Sequence, residues 1–433
     1  MHTTRAYAIW GVGVAAYVIT VLQRTSFGVS GLAAAERFHA SPAMLSGFVV
    51  LQVIVYAGMQ IPAGLMLDRF GSRAMIVAGA AIMALGQGLL AATELLPLAI
   101  AGRVLVGTGD ACTFISVLRL VPHWFAPRRV PLISQLTGIL GQFGQVISAL
   151  PFLAVLRAAG WPPAYLSAAA LGALFAVLAA ALIRDKPPGE TTTDKPAGLR
   201  EVGAQIRAVW THPGTRLGFF THMGTQFSIT TFALMWGVPY LVSAQRLSQS
   251  SAGLLLTVSV GAAIAAGPIL GILSARYPLR RSWLVLTIMC ANATVWTVVL
   301  MRNEPAPIWL LVLLVVVISV GGPGSMIGFD YARMFNPNTV LGTAQGMVNI
   351  GGFLATLLVI ETMGIVLDHA GGYSFSSFRL AWLVQYPIWL IAITGVLITR
   401  LKTRRHLAEH GIHVTPLRTV LARIRGTRRP GNR

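Results

Sequence analysis

Twelve separate stretches of this chain are apolar for long enough to cross a bilayer, and that repetition restricts the possible folds more than any other feature. They lie near residues 7–33, 43–67, 74–95, 97–122, 131–156, 162–184, 214–243, 250–274, 282–301, 307–334, 339–367 and 379–400. Crossing the hydrocarbon takes ~20 apolar residues in a helix, and a helix satisfies its own backbone hydrogen bonds there. The fold class predicted is therefore an all-α membrane protein with twelve transmembrane helices. Composition agrees: of 433 residues 55% are hydrophobic and 11% charged, with a mean hydropathy of +0.71, which no soluble domain with a polar surface would show. A formal charge of +20 could suggest a nucleic-acid partner. The basic residues fall between apolar runs, however, not on one folded face, so no nucleic acid is expected.

Topology accounts for that charge better. With Arg5 inside and an even number of spans, both termini are expected in the cytoplasm, in a multi-pass protein of the cell membrane. On that orientation 24 of the 33 Lys and Arg fall on cytoplasmic segments. Five fall outside (Arg37, Arg157, Arg246, Arg302, Arg379) and four lie within helices (Arg24, Arg103, Arg119, Arg333). Such asymmetry follows the positive-inside rule. The first run carries Arg5 and no small-residue cleavage site, so it is expected to be retained.

Between the second and third runs, Gly64, Asp68, Arg69, Gly71 and Arg73 combine turn and charge signals. A tight cytoplasmic turn is expected, with Gly64 allowing close helix approach, Asp68 near a helix N-terminus, and Arg69 and Arg73 anchoring the positive side. Gly271, Arg276 and Arg280 repeat Gly64, Arg69 and Arg73 at an offset of 207 residues. Pro127, Gln135, Gly141 and Phe143 recur as Pro337, Gln345, Gly351 and Phe353 at an offset of 210. Two similar offsets argue for a duplicated six-helix unit. The expected division is a first bundle at 1–184, a polar linker at 185–213, a second bundle at 214–400 and a basic tail at 401–433. Val202, Ile206 and Val209 in the linker have helical spacing, as do Leu417, Val420, Leu421 and Ile424 in the tail. Both read as amphipathic helices on lipid.

Ionisable groups inside a bilayer cost ~2.5 kcal/mol or more, so each needs a partner or a water-filled cavity. Arg24, past the middle of the first helix, could grip an oxyanion bidentately or pair with an acid on the fourth. The fourth helix carries Arg103, Asp110 and Arg119. Arg103 and Asp110 are seven apart and so share a face. At mid-membrane, desolvation and a neighbouring arginine pull a carboxylate's proton affinity in opposite senses, so Asp110 and Arg103 are the expected proton-coupling pair. Arg119, with His222 and Gln226 on the seventh helix, joins Arg24 as a candidate substrate ligand, although a lone histidine in a helix also serves as a packing residue. Asp330 and Arg333 read as an interhelical or gate pair. Glu361 and Asn349 are further polar candidates on the eleventh helix. Gly138, Gly141 and Gly144 thin one face of the fifth helix for close packing.

The turn resembles the loop between the second and third helices of the major facilitator superfamily, G-x-x-x-D-R-x-G-x-R, and fills all five fixed positions with Gly64, Asp68, Arg69, Gly71 and Arg73. Tyr56, Gln60, Pro62, Gly107, Gly109 and Asp110 look like the branch of anion:cation symporters and their organic-anion and sugar-acid relatives. That resemblance implies proton coupling at the acid after Gly-x-Gly and anion binding at the first-helix arginine. Two positions depart from the branch: Gln23 stands where an acid often precedes the arginine, and Asp110 replaces the commoner glutamate. The resemblance implies two pseudo-symmetric six-helix bundles around a central site and a monomeric carrier.

The function expected is proton-coupled secondary transport of a small, anionic solute by alternating access, with protons and membrane lipids as the other partners. A proton-driven efflux antiporter for a metabolite or drug is the alternative, although the fifth helix lacks the glycine-proline element of such proteins. No Walker motif, metal-ligand spacing or nucleophile elbow is visible, so neither an enzyme nor a cofactor is expected. Cys112 and Cys290 lie in apolar runs and read as packing residues.

Overall fold

The computed structural model describes residues 2–39, 42–187 and 201–412, and every regular element among them is helical. The spans are α1 (His2–Val29), α2 (42–70), α3 (72–92), α4 (Leu96–Trp124), α5 (Val130–Ala159), α6 (Trp161–Leu182), α7 (Pro213–Ala244), α8 (Gln249–Arg276), α9 (Arg281–Leu300), α10 (Ile308–Phe335), α11 (Leu341–His369) and α12 (Gln385–Glu409). Here α2 and α3 are two limbs of one helical stretch, Pro42–Ala92, broken only at Gly71, whose backbone sits at φ 81°, ψ 170°. Glycine reaches that region without a steric penalty. The expected turn is therefore a one-residue break, and Asp185 closes it: its Oδ1 accepts from the Arg73 backbone N–H at 2.8 Å.

Pro151 and Pro239 remove backbone donors from α5 and α7, and both helices relax locally into π-helical turns, Ser148–Phe152 and Tyr240–Ala244. The glycine face of α5 packs on α1, with Gly141 against the Tyr17 ring and Gly144 against the Val18 backbone.

Four apolar cores hold the spans among the described residues, the smallest of them around Val121, Phe125 and Ile133. One lies in the second half around Phe227, Trp296, Trp382 and Trp389. Another lies in the first half around Leu22, Phe27, Trp161 and Tyr165. The third is shared: Tyr17, Leu67 and Ile115 of the first half cluster with Met326, Phe329, Leu341 and Met347 of the second. This shared core lies toward the face that bears the start of α1 and the end of α12, called here the terminal face. A linker helix, Val202–Thr211, packs there through Val209, Ile206 and Trp210. The stretch 188–200 and the proposed tail helix at Leu417, Val420, Leu421 and Ile424 lie outside the described residues.

Candidate substrate site and its switch

Helix α1 carries Arg24 to the interior, where its Nη1 lies 3.4 Å from Oδ2 of Asp110 on α4. The arginine side chain is 26% exposed and the aspartate 0%, so the hollow beside the pair is open to water at Arg24 and closed at Asp110. At 3.4 Å the contact is longer than the 2.7–2.9 Å of a tight charge-assisted bond, so the pair is loose. Arg103 stands behind it. Its Nη2 donates to the Arg24 carbonyl at 3.2 Å and its guanidinium lies 4.9 Å from the Phe27 ring centre. Asp110 Oδ1 and Arg103 Nε and Nη1 are buried without hydrogen-bond partners, which leaves acceptor and donor capacity at the heart of the site. The pairing weighed for Arg24 and the shared face of Arg103 and Asp110 are thus both present.

The Tyr17 and Tyr56 phenols sit beside Arg24. Asn349 Nδ2 of α11 donates to Tyr56 Oη at 3.0 Å and to Gln60 Oε1 at 2.7 Å, tying the second half to the wall of the site. Buried aromatic rings pack on one another on the terminal side of the Arg24–Asp110 pair. Tyr17 and Phe114 centres are 5.0 Å apart, Phe114 and Phe329 5.6 Å, and Phe329 and His222 5.2 Å. This floor crosses from one half to the other. Nothing in the spacing of Phe114, Phe329 or Tyr17 marks them in the sequence, because their meeting is decided by how the halves dock.

The remaining expected ligands are dispersed. His222 is buried, with Nδ1 accepting from Gly352 N at 3.2 Å, so it occupies a packing position beneath the hollow. Gln226, one turn farther along α7, is half-buried. Arg119, expected as a substrate ligand, is placed away from Arg24 and Asp110, beside Asp68. It lies nine residues past Asp110 on α4, roughly 14 Å at 1.5 Å per residue, and there it bonds the Leu67 carbonyl, the Asn338 carbonyl at 3.3 Å and, at 3.7 Å, Asp68 Oδ1. Glu361 is exposed on the outer surface of α11.

The loop expected as a conformational switch joins α2 to α11. Asp68 accepts from the backbone N–H groups of Gly342 at 2.6 Å and Thr343 at 2.8 Å and from Thr343 Oγ1 at 2.6 Å. A carboxylate at an N-terminus satisfies orphan donors and meets the positive end of the helix dipole. The N-terminus is that of α11, far along the chain, not that of the adjacent α3. Linker residue Gln205, unmarked in the sequence, donates from Nε2 to Asp68 Oδ2 at 3.4 Å and to Thr343 Oγ1 at 3.0 Å. Arg69 is exposed over Phe70, and Arg73 bonds the Ala180 carbonyl, so both anchor the turn locally.

The duplicated positions occupy related places. Gly64 packs on Gly342 across α2 and α11, while Gly271 packs on Leu132 across α8 and α5. Gln135, beside that second crossing, joins α5 to α10 by donating to the Pro323 carbonyl at 2.7 Å. Asp330, by contrast, stays within the second half. It binds Arg333 at 2.9 Å within α10, and Arg281 of α9 at 3.6 Å and Ser274 of α8 at 2.5 Å. Of the expected interhelical or gate pair, Asp330 and Arg333 bond within one helix, and Arg281, not singled out from sequence, supplies the arm between helices.

Twelve spans in two halves, clasped on one face by the Gly64–Arg73 motif, match one protein class. A model described as Major Facilitator Superfamily matches residues 13–237. The chain belongs to this superfamily of membrane transporters. It is similar to "Probable galactarate/D-glucarate transporter GarP" of Escherichia coli (strain K12), at 22% identity over 83% of this chain and 88% of that one. It is also similar to "Probable sulfoacetate transporter SauU" of Cupriavidus necator, at 21% identity over 85% and 88%. Among solved structures, the superfamily transporter FucP in the outward conformation superposes with a TM-score of 0.65 at 16% identity, over 91% of this chain and 99% of that one. The shared fold thus reaches both halves of the facilitator chain.

Proposed function

We propose that this facilitator protein is a proton-coupled carrier of a small organic anion across the cell membrane, with Arg24 binding the anion and Asp110 holding the proton. The observation that carries the reading is the loose pair between them, open on the arginine side and sealed on the aspartate side.

Charge bookkeeping supports coupling. In the empty carrier Arg24 and Asp110 neutralise each other. An anion that takes the guanidinium leaves Asp110 as a buried carboxylate facing less positive charge, a state of high cost. A proton on Asp110 removes that cost, and with a dianionic solute the guanidiniums of Arg24 and Arg103, the anion and the neutral carboxyl together carry no net charge. The aromatic floor and the Asp68 clasp can then open without dragging an unpaired charge through the hydrocarbon. Arg103 stays constant behind the pair as the second cation of the site, with Nε and Nη1 free of hydrogen-bond partners. The names of the two relatives, which denote carriers of a sugar diacid and of a sulfonated acid, support a carboxylate or sulfonate as cargo. Basic asymmetry supports a cytoplasmic terminal face, in which case the clasped form is the outward-facing one.

Thermal-shift screening against carboxylates and sulfonates, galactarate and sulfoacetate included, selects the working anion. In proteoliposomes Asp110→Asn is then expected to retain anion counterflow and lose accumulation driven by a pH gradient. Normal accumulation by this variant removes Asp110 from the coupling role.

A further inference from the structure

A groove separate from the central site runs along the outer surface between α7 and α12, where the linker helix meets them. Its lining is Trp210, Arg216, Phe220, Gly395, Ile398, Thr399 and Lys402, and its volume is near 380 Å³. Polarity changes along its length. At the terminal-face end stand two cations, Arg216 and Lys402, and no carboxylate lines the groove among the described residues. The Arg216 guanidinium is held in place by Nε donating to the Trp210 carbonyl at 2.8 Å and by lying 5.6 Å from the indole centre. Its terminal nitrogens are thereby directed by a fixed stem and not by a free chain. Seven residues deeper on α12, roughly 11 Å at 1.5 Å per residue, the wall is apolar: the Phe220 ring packs into the space that a Cβ on Gly395 would take, and with Ile398 it forms the floor of an apolar recess. Leu397, Ile398 and Leu401 beside it are exposed, so the recess opens sideways onto the surface that faces lipid tails.

We infer that this groove is a binding site for an anionic glycerophospholipid, with the phosphate at Arg216 and Lys402 and an acyl chain along Phe220, Gly395 and Ile398. A zwitterionic headgroup brings its own cation toward two fixed ones, so charge favours the anionic lipid. A soluble phosphate gains nothing from the apolar recess, whereas an acyl chain fills it, and basic pockets between transmembrane helices are suited to such headgroups. The lipid would touch the linker helix at Trp210, and that same helix delivers Gln205 to Asp68 and Thr343. Occupancy therefore braces the clasped terminal face.

The test is native mass spectrometry of the full-length purified carrier with phosphatidylglycerol, phosphatidylcholine or inorganic phosphate. One phosphatidylglycerol per chain is expected to be retained over phosphatidylcholine. Lys402→Gln should lower retention about five-fold, and Arg128→Gln, which removes a cation from an exposed loop, should leave it unchanged. Ile398→Trp fills the recess while keeping both cations and is expected to expel the lipid. Equal retention of both lipids, equal loss in Arg128→Gln and Lys402→Gln, or competition by inorganic phosphate at the concentration of the lipid each overturns the assignment. If Ile398→Trp does not fold, the Lys402 and Arg128 comparison still decides.

Discussion

Asp68 holds the backbone N–H of Gly342 at 2.6 Å across 274 positions of sequence, and the two helices carrying them touch backbone to backbone at the same point. A Cβ on Gly342 would lie 2.6 Å from the Gly64 carbonyl oxygen, closer than real contacts allow. Gly342→Ala should therefore wedge α2 from α11 and weaken the clasp. Transport is expected to fall at least ten-fold, about 1.4 kcal/mol in the conformational equilibrium. A cysteine pair across the two helices should cross-link less in the variant; unchanged cross-linking and uptake would show that the contact is slack.

Arg24 presents a planar fork to the hollow, a geometry that lysine does not reproduce. Arg24→Lys should weaken binding of the selected anion roughly ten- to hundred-fold through loss of bidentate contact, and Arg24→Gln should abolish it. Calorimetric titration reads both. Wild-type affinity in Arg24→Gln would place the anion elsewhere.

Gln205 bridges Asp68 and Thr343 from outside either half, so its loss should loosen closure without touching the substrate site. For Gln205→Ala a two- to five-fold shift toward the form open at the terminal face is expected, on the order of one hydrogen bond. Distance measurements between labels on α2 and α11 report it, while anion affinity at Arg24 stays the same. Identical distance distributions would leave the linker helix a passive tether.

His212 caps α7, accepting from Gly214 N at 3.1 Å through Nδ1. Burial, and then His406 with its ring centre 5.0 Å away, hold its pKa below the ordinary 6.5. The unfolded chain thus takes a proton that the folded cap refuses. Stability from this cap is complete above pH 6.5 and declines as pH falls from there toward the folded-state value. His212→Asn keeps a capping oxygen that does not titrate. Its melting temperature should match the parent at pH 8 and exceed it at pH 5.5, and equal acid sensitivity would assign the titration to other groups.

The apolar runs made the twelve-helix architecture legible, because a membrane span is a local property: about twenty residues suffice to declare it. The turn was legible too, since glycines and arginines gather between two spans, although only the fold shows that Gly71 takes the positive φ. Arg24 and Asp110 stood out because charge in hydrocarbon is costly wherever it occurs. Arg119 stood out for the same reason. It looked like another membrane charge, but α4 carries it far enough to reach Asp68 at the surface.

Thus local hydrophobicity and charge fixed the spans, the turn and the residues unable to be mere filler. Docking of the halves decided the rest: that Asp68 would cap α11, that Asn349 would bind Tyr56, that Phe114 and Phe329 would pave one floor, and that Gln205 would reach the clasp. These contacts join residues hundreds of positions apart, so their energies depend on the relative placement of whole bundles. No periodicity or motif within a single helix contains that placement.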